Sequence, residues 1–186
     1  MNKIISTISF LLVINTCLMS QASIDFNPKS LKTELKKANG KEVELKELPI
    51  APELARSIRL GKYYSTLDQS IHLTKYVYVG RINTCRAGGC SIAQKADSNK
   101  ESEFFDYFIF FDAKACVQFV KIYNYQATHG QEVTATSWLK QFKNYDGNKE
   151  LIVGKNVDAI SGATISVDAT SFDIEHKTKL LKRILQ

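Results

Sequence analysis

Apolar positions fall into three regimes along the 186 residues. Ile4 to Leu18 is an apolar stretch broken only by small polar residues. From residue 23 to about 60 apolar residues thin out. Leu31, Leu35 and Ala38 recur at helical spacing behind Asn27-Pro28 and Ser30, and Asn39-Gly40 ends the run, which predicts a short helix. Pro49 and Pro52 bracket a connector, and Pro52-Glu53-Leu54-Ala55 is a second helix start. Beyond Gly61 the pattern changes to that of strands. Tyr76, Val77, Tyr78, Val79 and Ile82 form a β-rich run, 104–112 is strongly aromatic, and Asp112-Ala113-Lys114 reads as a hairpin turn into Cys116 to Tyr125. In that last run Val117, Phe119, Lys121, Tyr123 and Tyr125 alternate with Gln118, Val120, Ile122 and Asn124. The alternation is imperfect, as expected of a strand partly buried on both faces. Gly130 breaks the chain, and 134–142 predicts a helix with Trp138, Leu139 and Phe142 at helical spacing. Asp146-Gly147 marks a turn. The tail, 167–185, predicts a helix carrying Ile174, Leu181 and Leu185 with a basic last turn. The order predicts an α+β fold, an antiparallel β meander with flanking helices. Residues 1–22 read as a signal peptide, 23–60 as a helical leader and 61–186 as the main domain.

The first regime has the form of a secretory signal. Lys3 supplies the basic start, and Ser20-Gln21-Ala22 offers a small-x-small cleavage site before Ser23. The apolar run is too short and too polar for a spanning helix of about 20 apolar residues. Cys17 follows Thr16, where lipidation signals prefer Gly, Ala or Ser. The expectation is a periplasmic or otherwise extracytoplasmic protein. The chain's net charge is +6, and Lys3 is the one charged residue before Ser23, so the exported part carries +5. This excess is spread, with Lys36-Lys37 and Lys182-Arg183 as the tight pairs. It lacks the focused basic face with interleaved aromatics of a nucleic-acid binder. A nicotinamide fingerprint, a nucleophile with an evident base and a recognisable carboxylate pair are all missing, so the sequence suggests no substrate pocket of its own.

The most informative stretch is Asp158-Ala159-Ile160-Ser161-Gly162-Ala163-Thr164. A run of small residues closes on a hydroxyl, with a carboxylate six positions before it. Gly162 permits positive φ, and Gly162 with Ala163 suggests close approach of another molecule to the backbone. Free amides in such a loop can bind phosphate oxygens. A strand-to-helix turn capped by Ser or Thr fits the same residues. The seven residues resemble the flavinylation motif Asp-x-x-Ser/Thr-Gly-Ala-Ser/Thr of the FMN-binding domain family. That family includes the G subunit of the Rnf electron-transport complex and the C subunit of the sodium-translocating NADH:quinone reductase. The resemblance extends over roughly residues 100 to 170. It implies that a flavin transferase uses FAD to esterify Thr164 with FMN through its phosphate, and that Asp158, Ser161, Gly162 and Ala163 form the recognition track. It further implies an electron carrier whose partners are membrane-bound or periplasmic redox proteins. A tether suits a compartment with little free FMN, because rebinding becomes intramolecular.

The flavin ring has weaker candidates. Thr128-His129-Gly130 stands where the respiratory members read Glu-Thr-Pro-Gly; this chain keeps a Thr and a Gly, and His129 is a possible hydrogen-bond donor. Trp138 is a core residue first and a stacking partner second, and the aromatics of 104–111 are sheet packing first. Cys85-Arg86-Ala87-Gly88-Gly89-Cys90 is the other distinctive element. A structural disulfide, a redox-active pair with Arg86 lowering a thiol pKa, and a metal site all remain open. Cys116 reads as a small buried hydrophobe, with a zinc site from Cys85, Cys90, Cys116 and His129 as a remote alternative. Two rival functions survive: a thiol–disulfide protein working through Cys85 and Cys90, and a cofactor-free secreted binding module.

Overall fold

The computed structural model describes residues 23–58, 60–68, 70–71, 73–86 and 102–186, with backbone alone at 85, 86 and 102. The expected signal segment and Cys90, with the rest of the cysteine loop through 101, lie outside the described residues.

Five antiparallel strands pair in chain order: β1 (Leu45–Glu47), β2 (Gly61–Thr66), β3 (Tyr76–Arg86), β4 (Ser102–Phe111) and β5 (Val117–Tyr125). With α1 (Lys29–Asn39), α2 (Pro52–Ala55), α3 (Thr136–Leu139) and α4 (Thr164–Ile184), this is the expected α+β meander. The sheet is buried on both sides, which explains why β4 reads as an unbroken aromatic run. Val77, Val79, Phe108 and Phe110 pack under Leu31 and Leu35 of α1. The opposite parity, Tyr78, Phe105, Tyr107, Ile109 and Phe111, packs under Val167, Ile174 and Leu181 of α4 and under Trp138, Leu139 and Phe142. Each such aromatic contributes about 1.5–3 kcal/mol by leaving water. α1 stops where the sequence indicates, at Gly40, which takes the left-handed conformation (φ +71).

One row of the sheet is ionic. Arg81, Asp106 and Asn124 are successive cross-strand partners. Arg81 grips Asp106 bidentately, Nε to Oδ1 at 2.6 Å and Nη2 to Oδ2 at 3.0 Å. Asn124 donates to Asp106 Oδ2 at 2.8 Å, and the guanidinium lies 3.5 Å from the centroid of the Phe104 ring. Both charges are buried, so the pairing satisfies groups that would otherwise be costly to desolvate.

α4 is fixed across the sheet by polar contacts. Tyr63 donates to the carbonyl of Lys177 at 2.8 Å, Tyr107 donates to the Asp173 carboxylate, and Lys177 pairs with Asp173 at 3.4 Å. These contacts set the helix axis and with it the position of the helix N-terminus.

Three expectations change. The segment 134–142 is not one helix: a 3-10 turn (Gln131–Thr134), the single α turn α3 and a second 3-10 turn (Lys140–Phe142) follow one another. Extended backbone at Ala135 (ψ 123) separates the first two, and two β-branched threonines flank it. The final helix begins at Thr164, three residues earlier than the tail pattern indicates. The segment 23–60 is not helical throughout, since it also supplies β1, whose Leu45-Lys46-Glu47 is too short and polar to announce a strand. Among the described residues no helix is long and apolar enough to cross a membrane.

Candidate functional site

Residues 157–164 run along the surface with a three-residue period. Val157 and Ala163 are buried and Ile160 packs against the core, whereas Asp158, Ser161 and Thr164 are exposed. The inward set anchors the segment, and the outward set presents one carboxylate and two hydroxyls. Between them a tight turn closes with the Ala163 N–H donating to the Ile160 carbonyl at 3.1 Å. Gly162 supplies the positive φ (+79) of that turn. A Cβ at Gly162 would meet nothing within 4 Å. Backbone conformation, rather than close approach of a neighbouring part of the chain, therefore calls for glycine here.

Thr164 is the first residue of the 21-residue α4, and Ala163 is its N-cap. Alanine offers no side-chain acceptor, and the first turn holds no acidic residue. The leading amides of α4 thus lie at the positive end of the helix dipole without the usual side-chain cap. Thr164 Oγ1 has no hydrogen-bond partner among the described residues. This terminus can accept an anion, and the hydroxyl beside it is free to be modified.

The start of the segment is held from the other side. The Asp158 N–H donates to Gln141 Oε1 at 2.7 Å, and its carbonyl accepts from Trp138 Nε1 at 2.9 Å. Trp138 is 9% exposed and meets Phe142 edge-on at 5.2 Å. It is core, as favoured from sequence, and also a hydrogen-bond donor to the motif.

The loop Thr128-His129-Gly130 reaches the same place. Gly130 (φ +84) lies so close to α4 that a Cβ there would sit 2.5 Å from Ser166 Oγ. Tyr125 Oη donates to the His129 carbonyl and lies 3.1 Å from Ser166 Oγ. Burial raises the Tyr125 pKa, the Ser166 bond opposes that, and Glu103 and Glu132 add to it, so the phenol stays protonated and donates. Thr128 Oγ1 donates to the Glu103 carboxylate. Thr128 and His129 are exposed, Gly130 is buried. The fold thus joins the 128–130 loop to the first turn of α4.

The cysteines are less informative. Cys85 is near the end of β3, which pairs with the beginning of β4, at the sheet end where β5 leaves for the 128–130 loop. Its side chain and all of Cys90 lie outside the described residues, so the pairing expected of them is unaddressed. Cys116 sits in the turn before β5 and is half-buried, not fully buried as read from sequence. Burial raises its pKa, with Asp112 and Asp146 adding to the effect, so it remains a thiol. The nine residues of β5, about 30 Å at ~3.3 Å per residue, separate Cys116 from His129. The remote four-ligand zinc reading fails on that distance.

Sequence reasoning missed Gln141, Tyr125 and Ser166. Gln141 stands three residues after Trp138, a spacing that puts both on one side of a helical turn. Nothing in the sequence connects that turn to Asp158.

Residues 103–171 match the family model of the FMN-binding domain. The match begins in β4 and ends in α4, and so spans the loop, the Trp138 turn and the Thr164 segment. No curated protein and no solved structure matches the chain.

Proposed function

With residues 103–171 matched to an FMN-binding domain, we propose that this chain is an extracytoplasmic electron carrier with FMN esterified through its phosphate to Thr164. The observation that carries the reading is the uncapped N-terminus of α4 with an exposed, unpartnered hydroxyl on its first residue. The residues fit the group. A phosphodiester at Thr164 Oγ1 would set one negative charge beside the uncapped positive end of the helix dipole, an interaction of about 0.3–1 kcal/mol. Open space at Gly162 leaves room for that phosphate.

Attachment needs a donor and an enzyme. Thr164 Oγ1 forms a bond to the FMN phosphorus of FAD, the pyrophosphate bond breaks, and AMP leaves with the bridging oxygen. The hydroxyl proton goes to a base of the flavin transferase, since no carboxylate or imidazole among the described residues bonds Thr164. Asp158 and Ser161, exposed on the same side, are the groups the transferase meets. When bound, FMN supplies reversible one- and two-electron chemistry in its ring. Gly130 packs against Ser166 in the first turn of α4, and the loop Thr128-His129-Gly130 is the one proposed to meet the ring. Electrons then pass to and from membrane-bound or periplasmic redox partners, in keeping with the signal-like N-terminus.

The test is an intact mass of the protein produced in a host that exports it and expresses a flavin transferase, beside Thr164→Val. The expected gain is one FMN less water, absent in the variant. An unmodified wild-type chain would overturn the proposal.

A further inference from the structure

The main chain of Asp158 is engaged on both sides by side chains of one short segment, Gln141 at its N–H and Trp138 at its carbonyl. Gln141 is itself braced, its Nε2 donating to the Trp138 carbonyl at 2.9 Å. The three groups form a closed clamp. It consumes both backbone hydrogen-bonding groups of Asp158 and leaves the carboxylate exposed, with no partner among the described residues.

Such a clamp does more than satisfy polar groups. Fixing one peptide plane sets the direction of the Cα–Cβ bond beside it. With Ile160 and Ala163 anchored inward, the clamp holds Asp158 in phase with Ser161 and Thr164, three and six residues later. Without it, the first of the three outward groups is attached only through Val157. We propose that Gln141 and Trp138 are positioning residues for FMN attachment, orienting Asp158 for the enzyme that modifies Thr164. The inference rests on Thr164 being the attachment residue. It assigns no chemical step to either side chain.

Gln141 is the better probe, because it is half-buried whereas Trp138 is part of the core. Full-length wild type, Gln141→Leu and Gln141→Glu are compared as substrates for a flavin transferase with FAD. Initial rates are read by intact mass over a range of acceptor concentrations, and thermal midpoints are recorded in parallel. Gly40→Ala, in the left-handed cap of α1 on the other face of the sheet, is the control for lost stability. Gln141→Leu removes the acceptor for the Asp158 amide and is expected to lower kcat/KM about tenfold, the scale of one net hydrogen bond. Most of that loss should fall in KM for the protein acceptor. Gln141→Glu keeps an oxygen for the amide but gives up the donation to the Trp138 carbonyl, and should recover part of the rate. Gln141→Leu modified at the wild-type rate overturns the inference while leaving FMN attachment standing. Equal slowing in Gly40→Ala also overturns it by assigning the loss to stability, and no recovery in Gln141→Glu overturns it by showing that an acceptor for the Asp158 amide does not set the rate. Wild type that accepts no FMN removes the proposed function and this inference together.

Discussion

Gly154 and Gly162 form a natural pair for separating conformation from function. Their φ angles are +80 and +79, and a Cβ on either would meet nothing within 4 Å. Alanine at either site therefore bears only the left-handed backbone, about 1–2 kcal/mol for an L-residue. Restriction of the unfolded chain returns about 0.4–1 kcal/mol. The net cost at each site is about 1 kcal/mol, equivalent to a fall in Tm of about 2–4 °C for a chain of this size. Urea and thermal unfolding followed by circular dichroism should give nearly equal losses. The proposed FMN attachment should not be equal. Gly162 lies in the turn that closes between Ile160 and Ala163 and sets Thr164 at the head of α4, whereas Gly154 turns the chain at Val157. Gly162→Ala should slow attachment severalfold and Gly154→Ala should not. Stabilities that differ by more than about 1 kcal/mol would show that the space around one glycine is not open, and an unchanged rate in Gly162→Ala would refute the role given to its conformation.

Gly130→Ala should cost more than either, about 2–4 kcal/mol by denaturant unfolding, because left-handed backbone (φ +84) is combined with a Cβ 2.5 Å from Ser166 Oγ; a loss no larger than that of Gly154→Ala would show that the loop does not press on α4. Asp106→Ala removes the carboxylate that the buried Arg81 grips bidentately and should cost about 3–5 kcal/mol by the same measurement, with a loss under about 1 kcal/mol counting against a buried pair. The phenols of Tyr63, Tyr78 and Tyr107 are pushed well above 10.0, first by burial and then by the Asp173 carboxylate. The unfolded chain loses these protons near pH 10 while the folded one retains them. Their contribution to stability is complete below that pH and is lost progressively as pH rises above it toward the raised folded-state values, so absorbance at 295 nm should show them ionising only together with alkaline unfolding.

Much of the scaffold was legible because local chemistry and tertiary demand agree. Asn39-Gly40 ends α1 because a left-handed residue is needed there, and Asp112 makes the turn between β4 and β5 by accepting from the amides of Lys114 and Cys116. The failures have physical causes too. The 134–142 segment carries helical spacing, yet extended backbone at Ala135 breaks it, and no single residue there advertises that break. β1 exists because β2 offers an edge to pair with, which three polar-flanked residues cannot reveal. At the site, Asp158 to Thr164 was readable through its resemblance, and the positive φ read for Gly162 is found at +79. The Asp158 clamp joins residues 17 and 20 positions apart, and Gly130 meets Ser166 across 36. Contacts between two irregular segments leave no periodic trace in the sequence.

Every strand of the sheet pairs with its neighbour in the sequence, so a chain lengthening from its N-terminus can complete the sheet once Tyr125 has appeared. The last helix obeys a different schedule. Tyr63 must find the Lys177 carbonyl 114 residues later, and Tyr107 must find Asp173 across 66. Those bonds can hold α4, and Thr164 at its head, against the sheet only after the chain has been made as far as Lys177. If FMN is attached at Thr164 as proposed, a transferase that reads the head of α4 would act on the completed fold rather than on a chain still short of Lys177.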